Sequence, residues 1–256
     1  MTYQSELETA IAIARKAGEL ALSHFSRKTE TFEKIDHSPV TIADRECEKL
    51  ISRLLSESYP GDGILGEEGT QVSSRTGRRW IVDPIDGTRD FVRRNPHWAI
   101  QIALESEGKI VLGVIHFPCL DETIHATFGG GCFWNGELSK ASAIDRLNQA
   151  ILMVSGFKSA WETWPPEGVR FLTEECWTVR CYGGCYDVAM IARGKADIWL
   201  SGSGMTWDYA PARIVAQECG AHFLTKDGSA RIDASHCVVC APGLVDELRR
   251  ILGLGH

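Results

Sequence analysis

The stretch Trp80-Ile81-Val82-Asp83-Pro84-Ile85-Asp86-Gly87-Thr88-Arg89-Asp90-Phe91 decides how this chain is read. Its apolar start predicts a buried strand that stops at Asp83-Pro84. Two carboxylates three positions apart follow, then Gly87 and Thr88. In a regular strand, residues three apart face opposite ways, whereas in a tight turn at a strand end they can converge. Pro84 stiffens that turn and removes a donor. Carboxylates and backbone amides delivered to one point suit a cation and a phosphate together. The plain alternative is a polar turn whose aspartates cap local amides.

Upstream, residues 5–26 carry apolar side chains at helical spacing, and Val40 to Asp44 leads into a second helix with Cys47, Leu50, Ile51, Leu54 and Leu55 as its stripe. Residues 29–39 are polar, and residues 70–78 read as a loop. Downstream, residues 98–104, 110–117 and 122–128 predict antiparallel strands separated by turn signals. Beyond residue 143 short strands alternate with helices. Residues 158–168, with Trp161, Trp164 and Pro165-Pro166, read as a partly apolar loop. Asp208 reads as the cap of a helix that stops at Gly220. Residues 1–142 are thus expected to form an α+β half with two N-terminal helices and an antiparallel sheet. Residues 143–256 are expected to form an α/β half that contributes Asp208 and specificity residues.

Bulk properties narrow the function. Lys and Arg number 27 against 34 Asp and Glu, a net charge of -7 with no basic run, which speaks against a nucleic-acid partner. No apolar run is long enough to cross a membrane, and residues 1–6 lack a signal-peptide pattern, so a cytoplasmic protein with reduced thiols is expected. Cys237-Val238-Val239-Cys240 has the gap of a zinc or redox pair, but it lies in an apolar run and reads first as structural strand cysteines.

Other acids join the central pair as candidates. Glu67, beside Glu68 between two glycines, is a third candidate ligand or part of a solvated loop. Asp208 and Asp44 read as site residues or as helix caps. Gly87 permits close approach of an anion, and Thr88 offers a hydroxyl.

Gly66-Glu67-Glu68, the motif from Trp80 to Thr88, and Trp207-Asp208 stand in an order and spacing that resembles the inositol monophosphatase family of magnesium-dependent, lithium-sensitive sugar and polyol phosphatases. The resemblance covers nearly the whole chain. It implies an α+β / α/β architecture, a five-layered αβαβα sandwich, often assembled as a homodimer. It implies two or three Mg²⁺ ions. Glu67, Asp83 and the Ile85 carbonyl would hold the first, and Asp83, Asp86 and Asp208 the second. Glu67 and Thr88 would orient or deprotonate the attacking water with Asp44 behind Thr88, and Gly87 and Thr88 amides would hold phosphate. Lys34 stands where the family has a lysine near the site.

The substrate implied is a small phosphorylated alcohol. Inositol-acting members hold a ring hydroxyl with an acid seven positions before the Trp-Asp aspartate, and here that position is Ser201. Gly183-Gly184-Cys185-Tyr186 resembles a stretch of the histidinol-phosphatase branch, with which Arg89-Asp90 is compatible, although that branch also usually keeps an acid at the Ser201 position. Arg93, Arg94 and Asp187 are further candidates for reading substrate. The expectation is therefore a histidinol-phosphate or inositol-phosphate phosphatase. The alternatives are a broad sugar or nucleotide phosphatase and a non-enzymatic phospholigand-binding scaffold.

Overall fold

The protein is described by a computed structural model covering residues 3–26, 31–33 and 39–255. In chain order it begins with α1 (Gln4–Phe25), the short antiparallel strands β1 (Thr31–Glu33) and β2 (Pro39–Thr41), and α2 (Ile42–Ser58). The first sheet follows as β3 (Gly63–Gly66), β4 (Gln71–Val72), β5 (Arg78–Asp86), the helix α3 (Thr88–Arg93), β6 (Ala99–Ser106), β7 (Lys109–Phe117), β8 (Glu122–Thr127), β9 (Gly131–Trp134) and β10 (Glu137–Ser139). The remainder is β11 (Ile151–Val154), α4 (Phe157–Thr163), α5 (Pro166–Glu175), β12 (Thr178–Arg180), α6 (Gly184–Ala192), β13 (Ile198–Ser201), α7 (Thr206–Cys219), β14 (His222–Leu224), β15 (Cys237–Cys240) and α8 (Val245–Leu252).

These elements form five layers. Helices α1 and α2 lay the apolar side chains Ala10, Ala14, Ala17, Cys47 and Ile51 on the outer face of an eight-stranded sheet ordered β10-β9-β8-β7-β6-β5-β3-β4. Helices α6 and α7 fill the middle, sharing one core with the inner faces of both sheets. The second sheet is ordered β12-β11-β13-β15-β14, and α4, α5 and α8 cover its far face around Trp164, Leu172 and Leu248. Burial of these aliphatic and aromatic faces, worth about 25 cal/mol per Å² of apolar surface, is what holds the layers together.

Several local expectations are corrected. Strand β5 does not stop at Asp83-Pro84 but continues to Asp86 across an irregularity in its pairing with β6. Asp83 pairs with Gln101 and Asp86 with Ala99, so two residues of β5 oppose one of β6. This bulge tolerates Pro84, which lacks the ladder donor. Residues 70–78 include β4 and the start of β5, and residues 31–33 and 39–41 pair as strands. Residues 158–168 are not a loop. They hold α4 and the start of α5, with Pro166 at a first-turn position where its missing amide costs little. Cys237 and Cys240 do not converge: Cys237 joins the middle core and Cys240 the core under α8, as residues three apart on a regular strand must. All nine cysteines are free thiols.

Candidate active site

The bulge in β5 sets the site. Ile81 faces the middle layer, while Trp80 and Val82 face α1 and α2. Without the extra residue Ile85 would face inward with Ile81, yet it lies in the outer core, so the alternation has slipped by one. Asp83 and Asp86 are therefore both carried to the inner side, which a spacing of three would otherwise forbid. Asp83 is buried and accepts a 3.0 Å hydrogen bond at Oδ1 from the Ile85 amide.

Strand β3 runs parallel to β5, so both deliver their carboxyl ends to the same edge. The Glu67 amide, one residue beyond β3, donates to the Val82 carbonyl at 3.1 Å, and its carboxyl group is close enough to Asp83 for its charge to raise the Asp83 pKa. Asp208 arrives from the middle layer. It is not the N-cap of α7, which is Met205, but the third residue of the first turn, where its carboxylate accepts the Met205 amide at 2.6 Å. One oxygen from each of Asp83, Asp86 and Asp208 lies within 4.8 Å of the others.

Asp44 is likewise at the third helical position rather than the N-cap. Its Oδ2 accepts the Thr41 amide at 2.8 Å and the Thr41 hydroxyl at 2.6 Å, the reciprocal arrangement of a capping box. Its Oδ1 is 3.4 Å from the Thr88 hydroxyl, which also sits 3.3 Å from the Ile85 carbonyl. Gly87 takes a left-handed φ of 86° at the head of α3, a conformation that glycine adopts without strain.

Asp86 is pinned from the opposite wall. Its Oδ2 accepts the Cys185 amide at 2.6 Å, and a Cβ on Gly184 would fall 2.5 Å from the same oxygen. The Gly183-Gly184 turn is held in place by Asp187, which is fully buried. Asp187 accepts the Gly183 amide at 3.3 Å and the Ser155 hydroxyl at 3.2 Å, and the Trp199 indole donates to Ser155 at 2.6 Å.

The cleft around these groups has a volume of about 690 Å³. It brings together Glu67, Asp83, Ile85, Asp86, Gly87, Thr88, Gly184, Cys185, Ser201 and Asp208. Arg93 is exposed in the last turn of α3 and Glu68 is half-buried, and neither lines the cleft. Asp187 is behind the wall rather than on it. Lys34 lies outside the described residues. Ser201 is buried, its hydroxyl 2.9 Å from that of Tyr209.

Sequence reasoning missed Glu48. This buried side chain on α2 accepts the Glu68 amide at 2.6 Å and the Thr70 amide at 2.9 Å, and so holds the loop that carries Glu67. Gly66 is needed there because a Cβ would meet the Glu48 carboxylate at 2.5 Å. An acid four positions after Asp44, on the same helical face, was the available signal. Ser155, Tyr182, Trp199 and Met205 also line the cleft, and no local pattern marks them.

Crowded acids resist ionising together. Burial first, then the neighbouring charges of Glu67, Asp86 and Asp208, pushes Asp83 well above the usual carboxylate range. Burial also raises Asp86, and burial with the Asp86 charge pushes Asp208 up to about 7. An all-oxygen donor set of this kind fits a hard divalent cation, whose charge would relieve the repulsion.

A model of the inositol monophosphatase family matches residues 2–252. The chain belongs to that family. Within it, the chain is 38% identical over 84% of its length to a histidinol-phosphatase of Chlorobaculum parvum, of which the match spans 83%. It is 36% identical to a histidinol-phosphatase of Mycobacterium tuberculosis, with 98% of each chain covered. The extragenic suppressor protein suhB of Bartonella henselae superposes with a TM-score of 0.90 at 29% identity, covering 98% of this chain and all of that one. The five-layered fold is thus that of the family, and the family is one of phosphatases.

Proposed function

We propose that this family member is a divalent-cation-dependent phosphomonoesterase acting on a small phosphorylated alcohol, with histidinol phosphate the first candidate and inositol monophosphate the second. The observation that carries the reading is the convergence of Asp83, Asp86 and Asp208 from separate elements beside Thr88. The two histidinol-phosphatase relatives support the choice of substrate.

Glu67, Asp83, Asp86, Asp208 and the Ile85 carbonyl would hold the metal. A bound divalent cation supplies Lewis-acid polarisation of the phosphoryl group and acidifies water near neutral pH. Thr88 moves the proton: with its hydroxyl hydrogen directed at Asp44, its oxygen lone pairs face the cleft and accept from the attacking water. Glu67 orients the same water. The Gly87 and Thr88 amides hold phosphate oxygens. Asp90, on the cleft wall and braced at 2.6 Å by the Asn95 amide, is the carboxylate outside the metal cluster that can receive a substrate ammonium group. Two or three magnesium ions, lithium sensitivity and a cytoplasmic homodimer belong to the same reading.

The test is phosphate release from histidinol phosphate, inositol phosphates, sugar phosphates and adenosine 3′,5′-bisphosphate, with magnesium and with EDTA. Metal-dependent turnover led by histidinol phosphate is expected. Absence of turnover on every ester with metal present would refute the phosphatase reading, and a different leading ester would refute only the substrate.

A further inference from the structure

A second cavity, of about 610 Å³, lies behind the catalytic cleft. The first turn of α7 separates the two: Thr206 lines the second cavity, while Met205, Trp207 and Asp208 line the first. Its charged lining is Arg79, Lys109, Arg213 and Arg231 against Glu105 and Asp233, an excess of two positive charges in a protein of net charge -7. Two of the cations are already neutralised. Arg79 pairs with Glu105 at 2.7 Å and Arg231 with Asp233 at 2.9 Å. The other two have no carboxylate partner among the described residues. Arg213 is half-buried, its Nε donating to the Ala230 carbonyl at 2.6 Å and its Nη1 to the Gln217 side chain at 3.3 Å, and Lys109 is exposed at the rim.

We infer that this cavity is an accessory site for a small dianion of the phosphomonoester or dicarboxylate class. Concave walls concentrate the field of unpaired cations, and a guanidinium fixed by carbonyl and amide partners presents its remaining donors without rearrangement. Arg213 stands five residues beyond Asp208 on the same helix, so a dianion seated here rests against the element that carries a metal-site carboxylate.

The site is tested by calorimetric titration of the full chain with methylphosphonate and, separately, with succinate, each in EDTA and in magnesium. In EDTA the catalytic carboxylates repel anions, so binding there reports the second cavity. Binding in EDTA that weakens at least tenfold in Lys109→Glu, with phosphatase turnover unchanged, is the expected result. Arg213→Gln is expected to weaken it further. The stronger of the two probes identifies the ligand class. No binding of either probe in EDTA, or binding indifferent to Lys109→Glu, overturns the inference. Because Lys109 is exposed and outside the catalytic cleft, the binding result is independent of the phosphatase reading, and only the turnover comparison rests on it.

Discussion

Glu48 shows how much a single buried side chain can decide. Its two oxygens satisfy two backbone amides of the Glu67 loop, a task that a glutamine, with one acceptor, can only half perform. Glu48→Gln is expected to leave one amide unpaired at a cost of about 1–3 kcal/mol. It is also expected to raise the magnesium concentration for half-maximal turnover while sparing turnover at saturating metal. A metal titration of activity, alongside thermal melting, checks both. Asp90 makes a different prediction. If it receives the substrate ammonium group, Asp90→Asn raises KM for histidinol phosphate about tenfold or more and leaves KM for an uncharged sugar phosphate nearly unchanged, as expected for a charge-assisted contact of about 1.5–3 kcal/mol. Equal changes for the two esters would assign Asp90 a merely structural role.

At the scale of elements, the site depends on the β5 bulge and on the turn before α6. Gly184 has a φ of 57° and lies against the Asp86 carboxylate. Gly184→Ala therefore meets a left-handed backbone penalty of about 1–2 kcal/mol per residue and pushes Asp86 from its place. Turnover is expected to fall about a hundredfold, as small misplacements of reacting groups do, with the chain still folded by circular dichroism. The sequence showed Asp83 and Asp86 as a pair, but not how they come to share a side. That depends on the register with β6, which no local pattern in 80–91 contains. The α4 segment was likewise illegible, because Trp161 and the prolines resemble a loop until Trp164 is seen buried beneath β13 with its indole donating to the Ser201 carbonyl. The helix that carries Asp44 was legible because its apolar stripe is periodic, but its start was not: in the sequence Asp44 reads as a site residue or a cap, whereas Thr41 is the N-cap and Asp44 its capping-box partner.

At the scale of the whole molecule, four distant segments place acids at one edge between the two sheets, and the fold carries the resulting repulsion. Asp83, Asp86 and Asp208 all bind protons more readily in the folded metal-free chain than in the unfolded one. Between the ordinary aspartate value of 3.8 and about 7, the folded state then holds more protons, so metal-free stability falls as pH rises through that window. Melting temperature without metal is expected to drop between pH 5 and 7.5, and Asp208→Asn is expected to flatten the slope. Magnesium should restore stability most at the upper end. A metal-free melting temperature that rises across the window would contradict the electrostatic account. The layered fold and the set of acids were legible only through the family resemblance that three short motifs carry, because the spacing of strands and helices alone did not fix that topology. Of the cleft wall, the sequence pointed to Gly184, Cys185 and Ser201 but not to Tyr182, Trp199 and Met205, since these meet only after both sheets have packed.

The most direct measurement is magnesium-dependent phosphate release by Asp83→Asn beside the unaltered protein, with circular dichroism and magnesium calorimetry on both. Asp83 sits at the centre of the acid cluster, so a folded variant with weakened magnesium binding and turnover reduced about a hundredfold or more is predicted. A folded Asp83→Asn chain that binds magnesium and releases phosphate at near-normal rates would contradict it.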